Sequence, residues 1–244
     1  MQVFNCDLHI HTCLSPCAEL DMHPRAIIEK ACSVGLDLIA VCDHNASENA
    51  PYVLKASQGK NIKVLPGMEI TTSEEVHFIS LFDDLDNLAE LQKFIDQHLP
   101  GQNDEGRFGV QAIVNENGEV EGLSDKLLIG ATDVSINDLL DFVHKQNGLA
   151  IASHIDRASF SVLSQLGFIH ESIVFDALEI TPMTGYQKAR DRYRELSHYS
   201  LIMSSDAHFL KDIGTTMSKI VMAEPTLAEL KLAFARQNGR YVME

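Results

Sequence analysis

The feature that most constrains the fold is an alternation along the chain, in which short apolar runs that carry polar, reactive residues alternate with helical segments. Such residues end or interrupt apolar runs of strand length at five places, namely His9, His44, Glu69, His77 and His154. Strands that alternate with helices favour a parallel sheet, and the C-terminal ends of such strands meet at one edge. The order therefore predicts an α/β fold, closed as a barrel, with a reactive site at that edge.

Helix signals lie between these runs. Pro24 stands at the first position of one predicted helix and Gly35 follows its end, which is the usual asymmetry of proline and glycine. Ser135 and Thr226 are N-cap residues of two later helices, because their hydroxyls can accept a backbone N–H of the first turn. These signals support the alternating order of strands and helices.

Length and composition predict one domain over residues 1–244. The 244 residues with 45% hydrophobic content are enough for one substantial core. Residues 100–133 differ in character, since they are polar and rich in glycine, and Asn117-Gly118 lies between two short strand-like segments. Asn-Gly in such a position is a strong hairpin signal. We interpret residues 100–133 as an insertion within the domain that contains a hairpin.

Charge, hydropathy and cysteine usage limit the partners and the location. No stretch approaches the roughly 18 consecutive apolar residues of a membrane span, and the N-terminus lacks the pattern of a secretory signal. Five cysteines, an odd number, argue against a disulfide framework. We therefore expect a cytoplasmic protein without a membrane partner, and nothing in the sequence indicates an oligomeric state. The formal net charge of −16 disfavours a broad basic surface, so we expect no long nucleic acid as a partner.

Two motifs near opposite ends of the chain offer metal ligands two residues apart. They are DLHIH, with His9 and His11, and SDAH, with Asp206 and His208. Residues i and i+2 of an extended strand point to the same face, so each pair can converge on one cavity. Imidazole combined with carboxylate is typical of hydrolytic zinc, iron or manganese sites. A single His-x-His is weak evidence, because buried histidines are often core residues, but several strand-end histidines together favour a metal site.

The order of motifs over nearly the whole chain resembles the PHP (polymerase and histidinol phosphatase) family. These motifs are Asp-Leu-His-x-His-Thr, Asp-His-Asn, Gly-x-Glu, a strand His, Ser-His and Ser-Asp-Ala-His. The resemblance implies a distorted (β/α)7 barrel of mostly parallel strands that holds up to three divalent metal ions, either zinc, iron or manganese. It also implies hydrolysis of phosphate esters through a metal-activated water. We expect a small phosphomonoester or short nucleotide as substrate, so that a small phosphorylated compound or phosphate is the partner of the site.

The resemblance also implies which side chains bind the three metals. The implied ligands are His9, His11 and Asp206 on the first metal, Glu69 as a bridge to a second metal that His77 and His154 complete, and His44 and His208 on the third. The family usually adds a ligand for the third metal from the loop after His-x-His, and this chain departs from the family pattern there. Glu19 is the ligand that we expect on grounds of charge and reach, with Asp21 and Cys17 as alternatives.

Other polar residues are candidates for the reaction itself. We expect Asp206 and His208 to help manage protons near the phosphoryl group. Arg157 follows a strand-end histidine by three residues, so its guanidinium could contact phosphate from the rim, and a surface salt bridge is the competing interpretation. Arg107 lies in the Gly-rich segment 106–109, which is a candidate lid, because long loops in compact domains are often functional.

Two carboxylates beside the ligand motifs are candidates for a supporting role. Asp7 and Asp43 each stand close to an implied ligand in the sequence. We expect each to accept an imidazole N–H or to support the local turn, and a purely structural role is an equal alternative.

Two further functions remain open from the sequence. An amidohydrolase-type metal hydrolase also begins with His-x-His on its first strand, but it usually bridges its metals with a carboxylated lysine. No lysine occupies a comparable strand end here, and Glu69 takes that place. A non-catalytic, metal-stabilised module is the other alternative, and the complete set of ligand residues argues against it.

Overall fold

Strands and helices alternate along most of the chain in the computed structural model, which describes residues 1–244. The strands are β1 Gln2–Ile10, β2 Leu38–Val41, β3 Lys63–Thr71, β4 His77–Leu81, β5 Ala112–Val114, β6 Val120–Leu123, β7 Leu149–Ala152, β8 Ala177–Glu179, β9 Leu201–Ile202, β10 Ser218–Met222 and β11 Tyr241–Val242. The α-helices are α1 Pro24–Ser33, α2 Ala50–Ala56, α3 Leu85–His98, α4 Glu105–Phe108, α5 Ile136–Lys145, α6 Val162–Leu166, α7 Gly185–Arg192 and α8 Leu227–Phe234.

Nine of the strands form one sheet in the order β11-β10-β1-β2-β3-β4-β7-β8-β9. Only β4 and β10 run against the direction of the other strands of this sheet. The segment after β9 returns to β1, where Ile10 and Ala207 form a parallel bridge. The sheet is therefore nearly closed, which confirms the predicted barrel of mostly parallel strands, although its sheet has nine strands and two of them are reversed.

The helix signals of the sequence correspond to observed helix ends. Pro24 is the first residue of α1, and Gly35 follows with a φ of 75°, a left-handed value that glycine adopts without steric cost. The side chain of Ser135 accepts the backbone N–H of Asp138 at the start of α5, and Thr226 caps α8 in the same way. These local rules hold because each cap satisfies a backbone N–H that the helix itself leaves unpaired.

The apolar run Ile62 to Leu65 predicts a shorter strand than the observed β3. The strand continues through Pro66 and Gly67 and extends beyond Glu69. The extension pairs with the antiparallel strand β4, so Glu69 lies within a ladder rather than in a loop. A Cβ atom at Gly67 would lie only 2.5 Å from the carbonyl oxygen of Ser80. Glycine is thus required where β3 and β4 approach each other.

Strands β5 and β6 form a separate two-stranded sheet within residues 100–133. The turn contains Gly118 with a φ of 87°, as the Asn-Gly signal predicts. The backbone N–H of Ala112 donates to the carbonyl oxygen of Cys13, and the side chain of Asn49 bonds to Ala112 and Val114. The hairpin therefore packs on the loop that follows β1. None of the helices is long and apolar enough to cross a membrane.

Candidate metal centre

The eight residues that the motifs predict as metal ligands lie at one edge of the barrel, and we call them the inner layer. Most of them follow or end a strand that runs in the common direction. His77 instead begins β4, and because β4 is reversed, its first residue lies at the same edge. The inner layer consists of His9, His11, His44, Glu69, His77, His154, Asp206 and His208.

The carboxylate of Glu69 is the centre of the inner layer. One oxygen, Oε1, lies within 3.5 Å of three imidazole nitrogens, and the other, Oε2, lies within 3.5 Å of two more. The distances from Oε1 are 3.4 Å to His9 Nε2, 3.3 Å to His77 Nδ1 and 3.5 Å to His154 Nε2, and those from Oε2 are 3.1 Å to His44 Nδ1 and 3.5 Å to His11 Nε2. The inner layer thus surrounds a single buried carboxylate.

The SDAH motif lies beside the DLHIH motif, as its position in the barrel requires. Asp206 Oδ1 lies 3.4 Å from His9 Nε2 and 3.3 Å from His11 Nε2. The rings of His11 and His208 are stacked with centroids 4.1 Å apart. Asp206 has a φ of 51°, an uncommon value for a residue with a side chain that is found more often at functional sites. Residues from the two ends of the chain therefore share one cavity.

Three groups of inner-layer side chains place their ligand atoms within 4.8 Å of one another. The groups are His9, His11 and Asp206, then His44, Glu69 and His77, and finally His11, His44 and His208. The first group coincides with the implied ligands of the first metal. The other two groups differ from the ligand sets that the resemblance implies, because His44 is grouped both with Glu69 and His77 and with His11 and His208. His44 lies between Glu69 and His208.

The inner layer fits divalent cations better than it fits a hydrogen-bonded core. Glu69 is 1% exposed, yet its Oε1 has no hydrogen-bond partner, and the same is true of Nδ1 of His44 and Nδ1 of His154. Nε2 of His9 lies 3.1 Å from Nε2 of His11. Buried polar atoms without partners are costly and rare. Nitrogen and oxygen donors that converge in this way match zinc, iron or manganese.

The electrostatics of the site favour the metal-binding protonation states of His11 and Glu69, whereas at His9 the effect of burial is outweighed by the carboxylates of Glu179, Glu69 and Asp206, which raise the pKa of its imidazole well above the usual value. Burial lowers the pKa of His11 to about 3, so its imidazole is neutral at physiological pH. Burial alone would raise the pKa of Glu69, but the imidazoles of His9, His77 and His44 hold it well below its usual range. A neutral imidazole and an ionised carboxylate are the forms that coordinate metal ions.

Glu179, at the end of β8, supports the inner layer and was missed by the sequence reasoning. Both of its carboxylate oxygens lie 3.2 Å from Nδ1 of His9, and Oε1 also accepts the backbone N–H of His154 at 3.2 Å. A proton held on Nδ1 leaves Nε2 of His9 free to face the centre. The available signal was a carboxylate at the end of the apolar run Ala177–Glu179.

Asp43 and Asp7 organise loops and do not touch an imidazole. Asp43 accepts the backbone N–H and the hydroxyl of Thr12 and the hydroxyl of Ser15, each at 2.7 Å. The same Ser15 hydroxyl lies 2.9 Å from Nδ1 of His11. Asp7 accepts the backbone N–H groups of Ser205, at 2.9 Å, and Gly214, at 3.1 Å. Asp43 thus reaches a ligand through one serine, whereas Asp7 anchors the SDAH segment.

The candidates for the additional ligand all lie in the loop after β1, in exposed positions. The backbone N–H of Glu19 donates to the carbonyl oxygen of His208 at 3.0 Å, so this residue is adjacent to the third group. Its carboxylate is in none of the three groups, and neither Asp21 nor Cys17 is in one of them. The choice of Glu19 stays a prediction.

The two arginines occupy different environments. Nη2 of Arg157 lies 2.6 Å from Oδ2 of Asp206, and the Arg157 side chain is 45% exposed, so it stands at the rim of the inner layer. Arg107 lies on the exposed helix α4, with its guanidinium 5.3 Å from the centroid of the Phe108 ring. The cavity lined by the inner layer includes Arg157 and does not include Arg107.

Two rim residues carry no sequence signal for their position. The ring of Phe160 stacks on the ring of His77 with centroids 4.6 Å apart. The backbone carbonyl oxygen of Phe160 accepts the backbone N–H of His77 at 2.8 Å. Phe160 has a φ of 57°, a strained value for a bulky residue. Ile129, from the segment 100–133, lines the same cavity. Both positions depend on packing between segments that are distant in the sequence.

The family model of the PHP domain matches residues 7–200. The protein belongs to the PHP domain family. A curated relative, an uncharacterised protein of Methanocaldococcus jannaschii, is 23% identical over 223 residues, which are 87% of this chain and 69% of that protein. Family membership confirms the resemblance found in the sequence motifs.

Solved structures share the fold of this PHP domain. The lesion-specific endonuclease PfuEndoQ from Pyrococcus furiosus superposes with a TM-score of 0.78 at 18% identity, over 99% of this chain and 58% of that one. Endonuclease Q in complex with a 27-mer duplex substrate that has an abasic lesion at the active site superposes with a TM-score of 0.73 at 17% identity, over 99% of this chain and 59% of that one. A putative metal-dependent phosphoesterase from Bifidobacterium adolescentis superposes with a TM-score of 0.56 at 18% identity, over 83% of this chain and 87% of that one. This chain thus spans about three fifths of the endonuclease chains.

These neighbours correct one prediction and support another. The expectation of a small phosphorylated partner and no long nucleic acid is wrong, because this fold is shared over 99% of the chain with an endonuclease solved on a duplex substrate. The net charge of −16 describes the whole chain, whereas binding of phosphate depends on the local charge of the site. The family and its hydrolase neighbours support a metal-dependent hydrolase.

Proposed function

We propose that this PHP domain is a metal-dependent phosphoesterase that hydrolyses a phosphodiester bond in a nucleic acid strand. The observation that carries the proposal is the environment of Glu69, a buried carboxylate with an unpaired oxygen and five imidazole nitrogens within 3.5 Å of its two oxygens. Divalent ions held by such a set would lower the pKa of a water toward 7, clamp the phosphoryl oxygens and stabilise the leaving oxygen. Phosphoryl transfer is the chemistry that gains most from these effects.

The inner layer offers ligands for up to three ions. His9, His11 and Asp206 form one set, and Glu69 with His44 and His77 forms another. A third set combines His208 with imidazoles of the first two, and His154 lies 3.5 Å from Glu69. We assign Glu19 to this third set, because its backbone is already bonded to His208. Zinc, iron and manganese all suit imidazole and carboxylate donors.

Residues of the chain also orient the ligands and handle protons. Glu179 keeps the proton of His9 on Nδ1, which directs Nε2 toward the centre. His208 has a side chain that is 20% exposed, and it lies 3.7 Å from Oδ1 of Asp206. We assign proton transfer at the leaving oxygen to His208, assisted by Asp206, because it is the most solvent-accessible imidazole of the inner layer.

Arg157 is the group that we assign to the phosphate of the substrate. Its Nη2 is 2.6 Å from Asp206 and its side chain remains partly exposed, so the planar guanidinium can present further N–H groups to a phosphoryl oxygen. We assign no phosphate contact to the lid candidate Arg107, which lies outside the cavity of the inner layer.

The likeness to endonuclease Q favours nucleic acid over a free metabolite. It extends over 99% of this chain. The endonuclease chains are longer than this domain, so the way in which this domain engages a strand is inferred from its own surface. A phosphodiester also fits a site that has cavity space beyond the ligand residues.

The competing functions lack a supporting feature in the structure. An amidohydrolase-type site usually needs a bridging lysine, and no lysine is among the buried residues, while Glu69 occupies the central position. A non-catalytic module would need the metals only for stability. An inner layer that opens to a solvent-accessible cavity through Arg157 and His208 favours contact with a substrate instead.

The decisive experiment is strand cleavage by the protein after metal removal and reloading. The protein is stripped by a chelator, reloaded separately with Mn²⁺, Zn²⁺ or Fe²⁺, and incubated with end-labelled single-stranded and duplex DNA that is intact or carries an abasic site. We expect cleavage with at least one metal, and we expect chelator or Glu69→Ala to abolish it. The exposed carboxylate Glu171 provides a matched control, since Glu171→Ala should cleave like the wild type. Metal-loaded protein that cleaves none of these strands would contradict the proposal.

A further inference from the structure

Two cavities beside the inner layer share a wall made of His154, Arg157 and Asp206. The ligand cavity, of about 190 Å³, is otherwise lined mainly by inner-layer residues and by Phe160. The lateral cavity, of about 400 Å³, is otherwise lined by Asp156, by residues 179–184 and by Ser204 and Ser205. A group at the shared wall is therefore adjacent to both spaces.

The sizes of the two cavities indicate different occupants. Cavities that hold small organic ligands have volumes of about 300–1,000 Å³. The lateral cavity, at about 400 Å³, lies within that range, and the ligand cavity, at about 190 Å³, lies below it. A phosphoryl group is small enough for the ligand cavity. The organic group attached to it requires the larger space across the shared wall.

The polar lining of the lateral cavity is largely fixed in advance, except at the hydroxyls of Ser204 and Ser205 and at Nδ1 of His154, which have no hydrogen-bond partner. Asp156 accepts the backbone N–H of Thr181 at 2.9 Å, the Thr181 hydroxyl at 2.6 Å and the hydroxyl of Thr184. These groups are therefore mutually satisfied. Ser204 is 5% exposed, and its hydroxyl has no hydrogen-bond partner. Because buried polar groups normally have partners, the Ser204 hydroxyl is available to a ligand in this cavity.

The apolar lining suits a flat ring. Met183 is 89% exposed, although methionine is usually buried, and it lines the lateral cavity together with Ile180 and Pro182. A methionine side chain is flexible and polarisable, so it packs well against the face of an aromatic ring. The lateral cavity thus combines an apolar flank, the unpaired hydroxyls of Ser204 and Ser205 and, at the shared wall, the guanidinium of Arg157.

From these features we infer that the lateral cavity binds the nucleoside on one side of the scissile phosphate. The base packs against Met183, the Ser204 hydroxyl bonds to a polar group of the nucleoside, and Arg157 contacts the phosphate at the shared wall. This assignment rests on the proposed phosphodiesterase function, and it adds which part of the molecule selects the substrate. Met183 and Ser204 are then specificity residues outside the inner layer.

The test compares three diesters that release the same 4-nitrophenolate when water attacks phosphorus and the P–O(aryl) bond breaks. They are the 5′- and the 3′-(4-nitrophenyl phosphate) of thymidine and methyl 4-nitrophenyl phosphate. The wild type should prefer at least one thymidine ester over the methyl ester by about tenfold or more in kcat/KM. Met183→Ala and Ser204→Ala should each reduce that preference about fivefold to tenfold, as expected for one lost contact or hydrogen bond.

Two variants control for unspecific effects. Met183→Leu keeps an apolar side chain at the same place and should therefore retain most of the preference that Met183→Ala loses. Met243→Ala makes the same change at another exposed methionine, which lines neither cavity, and it should behave like the wild type. Calorimetric titration with thymidine 5′- and 3′-monophosphate measures the same contacts without turnover, and Met183→Ala should weaken binding by a similar factor.

The outcomes separate this inference from the proposed function. Hydrolysis of all three esters without a preference, or a preference that survives both alanine substitutions, would overturn the assignment of the lateral cavity and leave the phosphodiesterase function standing. Failure to hydrolyse any ester would count against the proposed function. In that case the titration still decides the inference, because equal affinity of wild type and Met183→Ala for the nucleotides refutes it.

Discussion

Two buried carboxylates, Glu69 in β3 and Glu179 in β8, lie next to the imidazole of His9, but they differ in whether their oxygens have hydrogen-bond partners. Glu69 is 1% exposed and one of its oxygens has no hydrogen-bond partner, whereas Glu179 is 2% exposed and holds His9 Nδ1 and the backbone N–H of His154. We call Glu179, Asp43 and Asp7 the outer layer. The comparison teaches that burial alone does not identify a ligand, because, of these two buried carboxylates, only Glu69 has an unpaired oxygen and lies at the centre of the imidazoles.

The two layers also differ in what they require for stability. The outer layer is complete within the protein, because each of its carboxylates accepts hydrogen bonds from backbone or side-chain groups. The inner layer leaves polar atoms of Glu69, His44 and His154 unpaired. Cations that bind the folded chain and satisfy these atoms would stabilise it by mass action. The inner layer should therefore depend on metal and the outer layer should not.

The largest expected effect is that of Glu69→Gln. This change keeps the shape of the side chain but removes the negative charge that lies within 3.5 Å of five imidazole nitrogens. We expect the rate of strand cleavage to fall by roughly a thousandfold or more. The amount of bound metal, measured by mass spectrometry, should fall as well. A Glu69→Gln protein that retains both its metal and its activity would show that Glu69 belongs with the outer layer.

Glu179→Gln should have a smaller effect because Glu179 acts through His9. The amide can still bond to Nδ1 but no longer holds the proton there by charge. Loss of such a supporting carboxylate typically costs about 10–100-fold in metal affinity or activity. Metal titration followed by activity measures both quantities. Saturating metal should restore much of the Glu179→Gln activity, and a loss as deep as that of Glu69→Gln would erase the distinction between the layers.

Arg157→Ala tests a rim residue that belongs to neither layer. The substitution removes the guanidinium 2.6 Å from Asp206, and we expect KM for a labelled strand to rise about tenfold, as for loss of one charged hydrogen bond. The kcat should change less than KM. Arg107→Ala, at the exposed helix α4, is the matched control, and an equal rise in KM for both variants would assign the effect to net charge.

Asp43→Asn should give the smallest change among these variants. Asp43 reaches His11 only through the Ser15 hydroxyl, and its other partner is Thr12. We expect metal affinity to fall about threefold, less than for Glu179, because an intervening residue weakens the coupling. Side-by-side metal titrations of the two variants make the comparison. A larger loss for Asp43→Asn than for Glu179→Gln would reverse the order of influence within the outer layer.

The inner layer could be recognised in the sequence because its signals are local. Residues two apart on a strand share a face, and polar residues at strand ends of an alternating fold meet at one edge. These two rules led to His9, His11, Asp206 and His208 without any tertiary information. Helix caps such as Ser135 were equally readable, because each one satisfies a need that is confined to a single turn.

Features that depend on distant contacts could not be read in this way. Glu179 meets His9 across 170 positions of sequence, and nothing near Glu179 indicates that partner. The reversal of β4, which brings His77 to the edge by its first residue, is decided by pairing with β3 and β7. The prediction about partners failed for a related reason, since a net charge summed over the chain carries no position.

The most direct test of the two-layer account is anomalous diffraction from crystals of the protein loaded with manganese or zinc. The account predicts more than one anomalous peak per chain, all coordinated by inner-layer side chains, with Glu69 shared between neighbouring ions. Peaks coordinated by Glu179 or Asp43, or an inner layer without any bound ion at saturating metal, would contradict it.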